Sequence, residues 1–156
     1  MLLKVRVHKV PNPESEEVVI HCMEITPEVK DIYTYVETRG AQLSGLVDGV
    51  IRLFQLKEVL YFEAVDERVF AYTKEHVYEV KMRLYEIEEN YGDYCFMRCS
   101  KSIVINLMQL EGIRPALNGR FVAQLNNGEQ LIINRSYVPK LKAAIKQKVG
   151  ETNEAK

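Results

Sequence analysis

Phe96-Met97-Arg98-Cys99-Ser100-Lys101-Ser102-Ile103-Val104-Ile105-Asn106-Leu107 joins two kinds of residue that seldom share so short a window. Ile103-Val104-Ile105 is an unbroken β-branched run, the composition of a strand buried on both faces. Just before it, Arg98 to Ser102 hold two cations and two hydroxyls with no acid among them. Donors held at the mouth of a rigid strand suit a phosphate backbone or a base edge.

Outward from that window, charge divides the chain. The net charge is only −1, yet residues 1–94 carry 11 basic and 18 acidic side chains, a balance of −7. Residues 95–148 carry 9 basic and 2 acidic, a balance of +7, and the last eight residues contribute −1. A segregated basic block is what a polyanion-binding surface requires. A solvated C-terminal helix would account for the four lysines between Lys140 and Lys148, but not for Arg98, Lys101, Arg114, Arg120 and Arg135.

The 156 residues suit one ordinary domain, or a small domain with an extension. A content of 47% hydrophobic and 28% charged residues is that of a soluble globular chain. No apolar run approaches the roughly 20 residues of a membrane span. The opening Met-Leu-Leu-Lys-Val-Arg-Val-His interleaves charge with aliphatics, so it lacks a signal-peptide core and a cytoplasmic location is expected. Cys22, Cys95 and Cys99 form no CxxC pair and read as ordinary strand thiols rather than a redox sensor. Glycine loops for phosphate, HExxH, GxSxG and zinc-spaced Cys/His sets are missing, so no enzyme, metal or cofactor is expected. His8, His21 and His76 have no partner set, and Glu86, Glu88 and Glu89 read as a solvated helix face.

Alternation predicts strands over Leu2–Val10 and Val18–Met23. Thr26-Pro27-Glu28 starts a helix closed by Gly40, with Val29, Ile32, Tyr33 and Val36 on one apolar face. This β-β-α unit, residues 1–44, buries too little to stand alone and would pack on the rest of the chain or on another copy; dimerisation is one role open to it. Residues 45–148 then read as a second unit of short strands at Val50–Leu53, Leu60–Val65, Val69–Thr73, His76–Lys81, Ile103–Ile105, Leu110–Arg114, Phe121–Leu125 and Gln130–Ile133. Turns are expected at Asp48-Gly49, Asp66-Glu67-Arg68, Asn118-Gly119 and Asn126-Asn127-Gly128. A helix is expected over Arg83–Asn90, with Asp93 opening the element after it. Ser136 would cap a last helix with Val138, Leu141 and Ile145 facing inward, and residues 149–156 form a polar tail. The fold class is mainly β (α+β overall), not a parallel α/β sheet.

The opening window also resembles the signature of the LytTR family of DNA-binding domains of bacterial transcription regulators: an Arg, a polar pair, Ser, an aliphatic run, then Asn. Val59-Leu60-Tyr61-Phe62-Glu63-Ala64 upstream and Ile133-Asn134-Arg135-Ser136-Tyr137-Val138-Pro139-Lys140 downstream fall in the family's order. The resemblance covers roughly Gly45 to Ile145 and implies an elongated stack of small antiparallel sheets with about one short helix. It also implies that loops, not a recognition helix, enter successive major grooves of double-stranded DNA. The first loop would hold Asp66-Glu67-Arg68, a short acidic departure from the family that leaves only Arg68 as a contact. The second holds Ser100, Lys101 and Ser102, and the third Asn134-Arg135-Ser136, with Arg135 on the family's base-reading arginine.

The chemistry agrees with that assignment. Arginine's planar fork bonds both acceptors of guanine, whereas lysine is a point charge for guanine or phosphate. Ser102 and Ser136 can donate to phosphate, and Arg98, Arg120 and Lys140 would position the backbone without base preference. Arg98 could equally pair with a carboxylate, and Arg120 could be a plain hairpin-tip charge. Asn106 is expected to bond backbone at the strand end. About 45 residues precede the family-like part, too few for a receiver domain, so the likeness is to small, receiver-less members; a homodimer is expected because one domain spans too few base pairs for useful specificity. A membrane-protein partner is conceivable for such members but is not visible in the residues. The competing expectation is a protein-interaction or dimerisation domain of the same fold that has lost specific DNA binding.

Overall fold

The computed structural model describes residues 3–39, 41–92 and 95–154. Three α-helices and ten strands are found among them: α1 (Pro27–Arg39), β1 (Gln42–Val47), β2 (Val50–Gln55), β3 (Tyr61–Val65), β4 (Arg68–Tyr72), β5 (Val77–Val80), α2 (Leu84–Tyr91), β6 (Phe96–Ser100), β7 (Ile103–Asn106), β8 (Leu110–Pro115), β9 (Phe121–Leu125), β10 (Gln130–Ile133) and α3 (Val138–Glu154). Seven strands form one antiparallel sheet in the order β2-β1-β5-β4-β3-β7-β6, and three form a second in the order β10-β9-β8. The fold is mainly β and antiparallel, as the short strands predict.

Two hydrophobic cores flank the central strands. In the first, Phe62, Val104, Ala71, Val80, Phe54 and Phe96 pack with Leu84 and Ile87 of α2. In the second, Tyr61, Ile105 and Cys99 meet Ala123, Leu125, Leu131 and Ile133 of the smaller sheet and Val138 and Leu141 of α3. Successive strand residues point to opposite faces, so β3 and β7 supply both cores in alternation. This is why Ile103-Val104-Ile105 has no polar member. Asn106, 1% exposed, ends β7: its amide donates to the Val59 carbonyl at 2.7 Å and its Oδ1 accepts from Met108 N–H at 3.0 Å. Both bonds fit the expected strand-end role.

Tight turns follow their residues. Asp48 (φ 50°) and Gly49 (φ 78°) join β1 to β2, and Asn118 (φ 62°) and Gly119 (φ 76°) turn the chain from β8 toward β9. Two left-handed residues in succession give the hairpin twist that matches the strands. The β3–β4 turn has two residues rather than the expected three: Asp66 (φ 49°) and Glu67 (φ 66°) make it, and Arg68 already pairs with Val65.

Several expectations are corrected. Neither N-terminal strand forms: residues 3–26 contain one short 3-10 turn, Pro13–Ser15, and no strand. The alternation is genuine, but a two-stranded ribbon without a third element to cover it is marginal in water. The helix of that unit does form, with Thr26 Oγ1 accepting from Val29 N–H at 3.2 Å. Among its described side chains Val29 and Thr34 are buried, and Ile32, Tyr33 and Val36 are exposed. The expected boundary at residue 45 falls inside β1. Ser136 does not cap α3; it lies within a 3-10 turn, Arg135–Tyr137, that begins after Asn134. α3 itself continues through Glu154, past the expected start of a tail, since Gly150 costs a helix only about 1 kcal/mol. The helix end at Gly40 and the opening at Asp93 lie outside the described residues.

Candidate nucleic-acid interface

β6 carries an irregularity that its sequence does not announce. Arg98 pairs with Val104 and Ser100 with Ile103, so Cys99 is an extra residue in the β6–β7 ladder. Such a bulge bends its strand and leaves one residue unpaired. The freed Cys99 carbonyl accepts instead from Asn134 N–H at 2.9 Å. One hydrogen bond thus ties the end of β6 to the residue that follows β10. Lys101 lies two residues beyond one anchor, and Arg135 one residue beyond the other. Both are exposed.

Lys101 and Ser102 form the β6–β7 turn, and Ser100 Oγ accepts from Ser102 N–H at 3.3 Å. Arg98 is withdrawn into this framework. Its Nε donates to Glu88 on α2 and its Nη1 to the carbonyl of Lys101, with the side chain 22% exposed. Of its two expected roles the carboxylate pair is the one found, and the same guanidinium braces the turn that presents Lys101. The Ser102 carbonyl accepts from Ala64 N–H at 2.8 Å, which sets the Asp66-Glu67 turn beside the Lys101 turn. Arg68, next in sequence, keeps a 4.0 Å contact with Glu79 and is largely exposed.

Arg135 rests on the β8–β9 turn. A β-carbon built on Gly119 would come within 2.8 Å of Arg135 Cδ and 3.0 Å of its Cγ, so the arginine stem lies directly over this glycine. Arg120, one residue on, is exposed and donates from Nε to the Leu117 carbonyl at 3.3 Å. Ser136 is exposed in the 3-10 turn, and Lys140 is exposed on the first turn of α3. The framework therefore gathers the Lys101 turn, Arg135 and the Arg120 turn through short contacts, places Arg68 next door, and removes Arg98.

Three contributors escape sequence reasoning. Gly119 reads only as a hairpin residue, whereas it is also the platform for Arg135. Asn134 reads as a motif position, whereas its backbone N–H joins the two sheets. Lys142 sits over the Phe121 ring at 4.5 Å from the centroid, holding α3 to β9. Only a pairing of Asn-Gly with a distant exposed arginine could have flagged the first, and no local pattern carries the other two.

Cys99 is fully buried, and burial pushes its thiol up to about 12, which keeps it protonated and unreactive at neutral pH. Tyr61 and Tyr72 stack at 4.4 Å, their hydroxyls donating to Glu129 at 2.9 Å and Glu63 at 3.0 Å. Burial, then these carboxylate bonds, raises both phenols above their usual range. The Tyr61–Glu129 bond is a second strut between the sheets. Among the described residues, no helix is long and apolar enough to cross a membrane.

The described residues thus form antiparallel sheets with exposed cations on hairpin tips and at the entrance to α3. Among the described residues, strands separate the three α-helices along the chain. The family model for the LytTr DNA-binding domain matches residues 49–146, and the chain belongs to that family. Two Staphylococcus aureus proteins, each named an uncharacterized HTH-type transcriptional regulator, are similar to it. One is 24% identical over 143 residues, covering 90% of this chain and 97% of its own. The other is 26% identical over 125 residues, covering 79% and 84%. A solved LytTr DNA-binding domain from Bacillus cereus has the same fold, with a TM-score of 0.64 and 22% identity over 67% of this chain and 96% of that one.

Proposed function

We propose that this protein is a sequence-specific transcription regulator that binds double-stranded DNA as a homodimer and reads successive major grooves from its loops. The observation that carries the reading is the bond from Asn134 N–H to the Cys99 carbonyl, which holds the Lys101 turn and Arg135 on one framework. Arg135 reads a guanine through its fork, and Lys101 reaches guanine or phosphate. Ser100, Ser102, Arg120, Ser136 and Lys140 contact phosphates, and Arg68 adds charge at the edge. Arg98 acts through the turn it braces. The regulator works in the cytoplasm, and no catalytic step is assigned to it.

Selection of bound duplexes from a random pool, followed by fluorescence anisotropy, tests this. A defined motif should emerge, and Arg135→Ala should weaken binding by about 1–3 kcal/mol and blur one position of it. Equal weak binding to every duplex, unchanged by that substitution, overturns it.

One observation favours a second reading. The acidic Asp66-Glu67 turn lies beside the Lys101 turn through the Ala64–Ser102 bond, and it repels phosphate there. On that reading the domain binds a protein partner, a membrane protein among the candidates, and has lost specific DNA recognition. Asp66→Asn with Glu67→Gln separates the two: under the regulator reading it tightens duplex binding.

A further inference from the structure

The N-terminal residues carry a strand signal that the chain itself does not use. Leu3, Val5 and Val7 alternate with Lys4, Arg6 and His8, the pattern of a strand with one apolar face. Yet among the described residues the segment joins no strand, and Val5 and Val7 are 88% and 87% exposed. A strand pattern without a partner inside the chain points to one outside it.

The sheets offer one matching edge. β2 ends the seven-stranded sheet, and its sequence Val-Ile-Arg-Leu-Phe-Gln has no proline and no bulge, with Arg52 its one charged residue. Ile51 and Leu53 are 75% and 65% exposed, and Leu46, directly across from Ile51 on β1, is 43% exposed. The other edges are protected. β6 carries the Cys99 bulge and is met by Asn134, β8 has a bulge and Pro115, and β10 is only four residues long.

We propose that residues 3–10 of one copy add as a strand to the β2 edge of a second copy, and that the exchange is reciprocal about a two-fold axis. This rests on the homodimer reading above and names its contact surface. An eight-residue extended segment reaches about 26 Å and covers the six residues of β2. Its Leu3-Val5-Val7 face would continue the outer face of Leu46, Ile51 and Leu53. The two reciprocal contacts remove apolar surface on the order of 1,000 Å², which reaches the range of specific interfaces. Main-chain bonds fix the arm, and alternate apolar side chains fix its register. The partner is a second copy because the matching strand and the matching edge are both present in every chain, as a closed two-fold interface requires.

The test uses the full chain. Sedimentation equilibrium should find a dimer, and Val5→Lys with Val7→Lys should weaken association at least about tenfold. Ile51→Lys with Leu53→Lys should do the same. In a Cys22→Ser background, a tagged chain with Val7→Cys mixed with an untagged chain with Leu53→Cys should form a disulfide-linked pair. A dimer untouched by either lysine pair, or cross-links only between two Val7→Cys chains, overturns the arm exchange. The arm variant should still bind DNA more weakly with Arg135-dependent base preference. Loss of all preference in the parent dimer would remove the regulator reading and leave the dimer contact standing.

Discussion

Replacing Gly119 with alanine isolates the support beneath Arg135. Gly119 sits at φ +76°, where an L side chain costs about 1–2 kcal/mol of stability. The new methyl would meet Arg135 Cδ at 2.8 Å and Cγ at 3.0 Å, against about 3.5–4.0 Å for an unstrained carbon contact. The arginine stem must therefore move by about 0.5–1 Å, enough to misplace a fork that needs tolerance near 0.5 Å. Specific affinity should fall by up to about 1–3 kcal/mol, the worth of the bidentate contact. Gly128→Ala is the matched control: its φ of +91° imposes a similar backbone penalty, but no atom lies within 4 Å of the added carbon. Urea melts should find both variants destabilised to a similar degree. Anisotropy with the selected duplex should find only Gly119→Ala impaired, with the preference lost at the position that Arg135→Ala blurs. Equal binding by the two variants would refute the argument.

Lys101→Ala should weaken binding and, where the contact is a phosphate, lower the slope of log K against log salt by about one; a titration from low to moderate salt measures it. Arg98→Ala should cost about 1–3 kcal/mol in urea denaturation by stranding Glu88 and the Lys101 carbonyl, with a secondary loss of DNA affinity as the turn loosens. Asn106→Ala leaves the Val59 carbonyl and Met108 N–H without their partner and should cost about 1–3 kcal/mol with base preference unchanged. The Tyr61 and Tyr72 phenols are raised in the fold, so the stability they contribute is intact below pH 10 and is lost as pH climbs through their folded values. Urea midpoints should drop from about pH 10 upward in the parent, and drop less in a Tyr61→Phe, Tyr72→Phe chain.

Much of the fold was legible because its signals are local. Ile103-Val104-Ile105 demanded a doubly buried strand, Asp48-Gly49 and Asn118-Gly119 demanded left-handed turns, and Thr26-Pro27-Glu28 demanded a helix start. The Cys99 bulge was not legible, since nothing in Arg-Cys-Ser distinguishes a bulged residue from a paired one until Asn134 arrives from 35 positions away. Arg98 shows the same limit: its charge was visible, but Glu88 became its partner only through the packing of α2 on β6. The α1 face went astray for a related reason. A helical stripe of Ile32, Tyr33 and Val36 predicts burial, but what it packs against is a matter of assembly.

Because β3 and β7 feed two interiors by turns, neither strand can slide by one position without sending Phe62 or Val104 where Tyr61 or Ile105 belongs. A single-codon deletion there would scramble both halves of the molecule at once, while changes at the hairpin tips leave the ladder untouched. Side chains at those tips can be exchanged one at a time while the lattice beneath them stays in step.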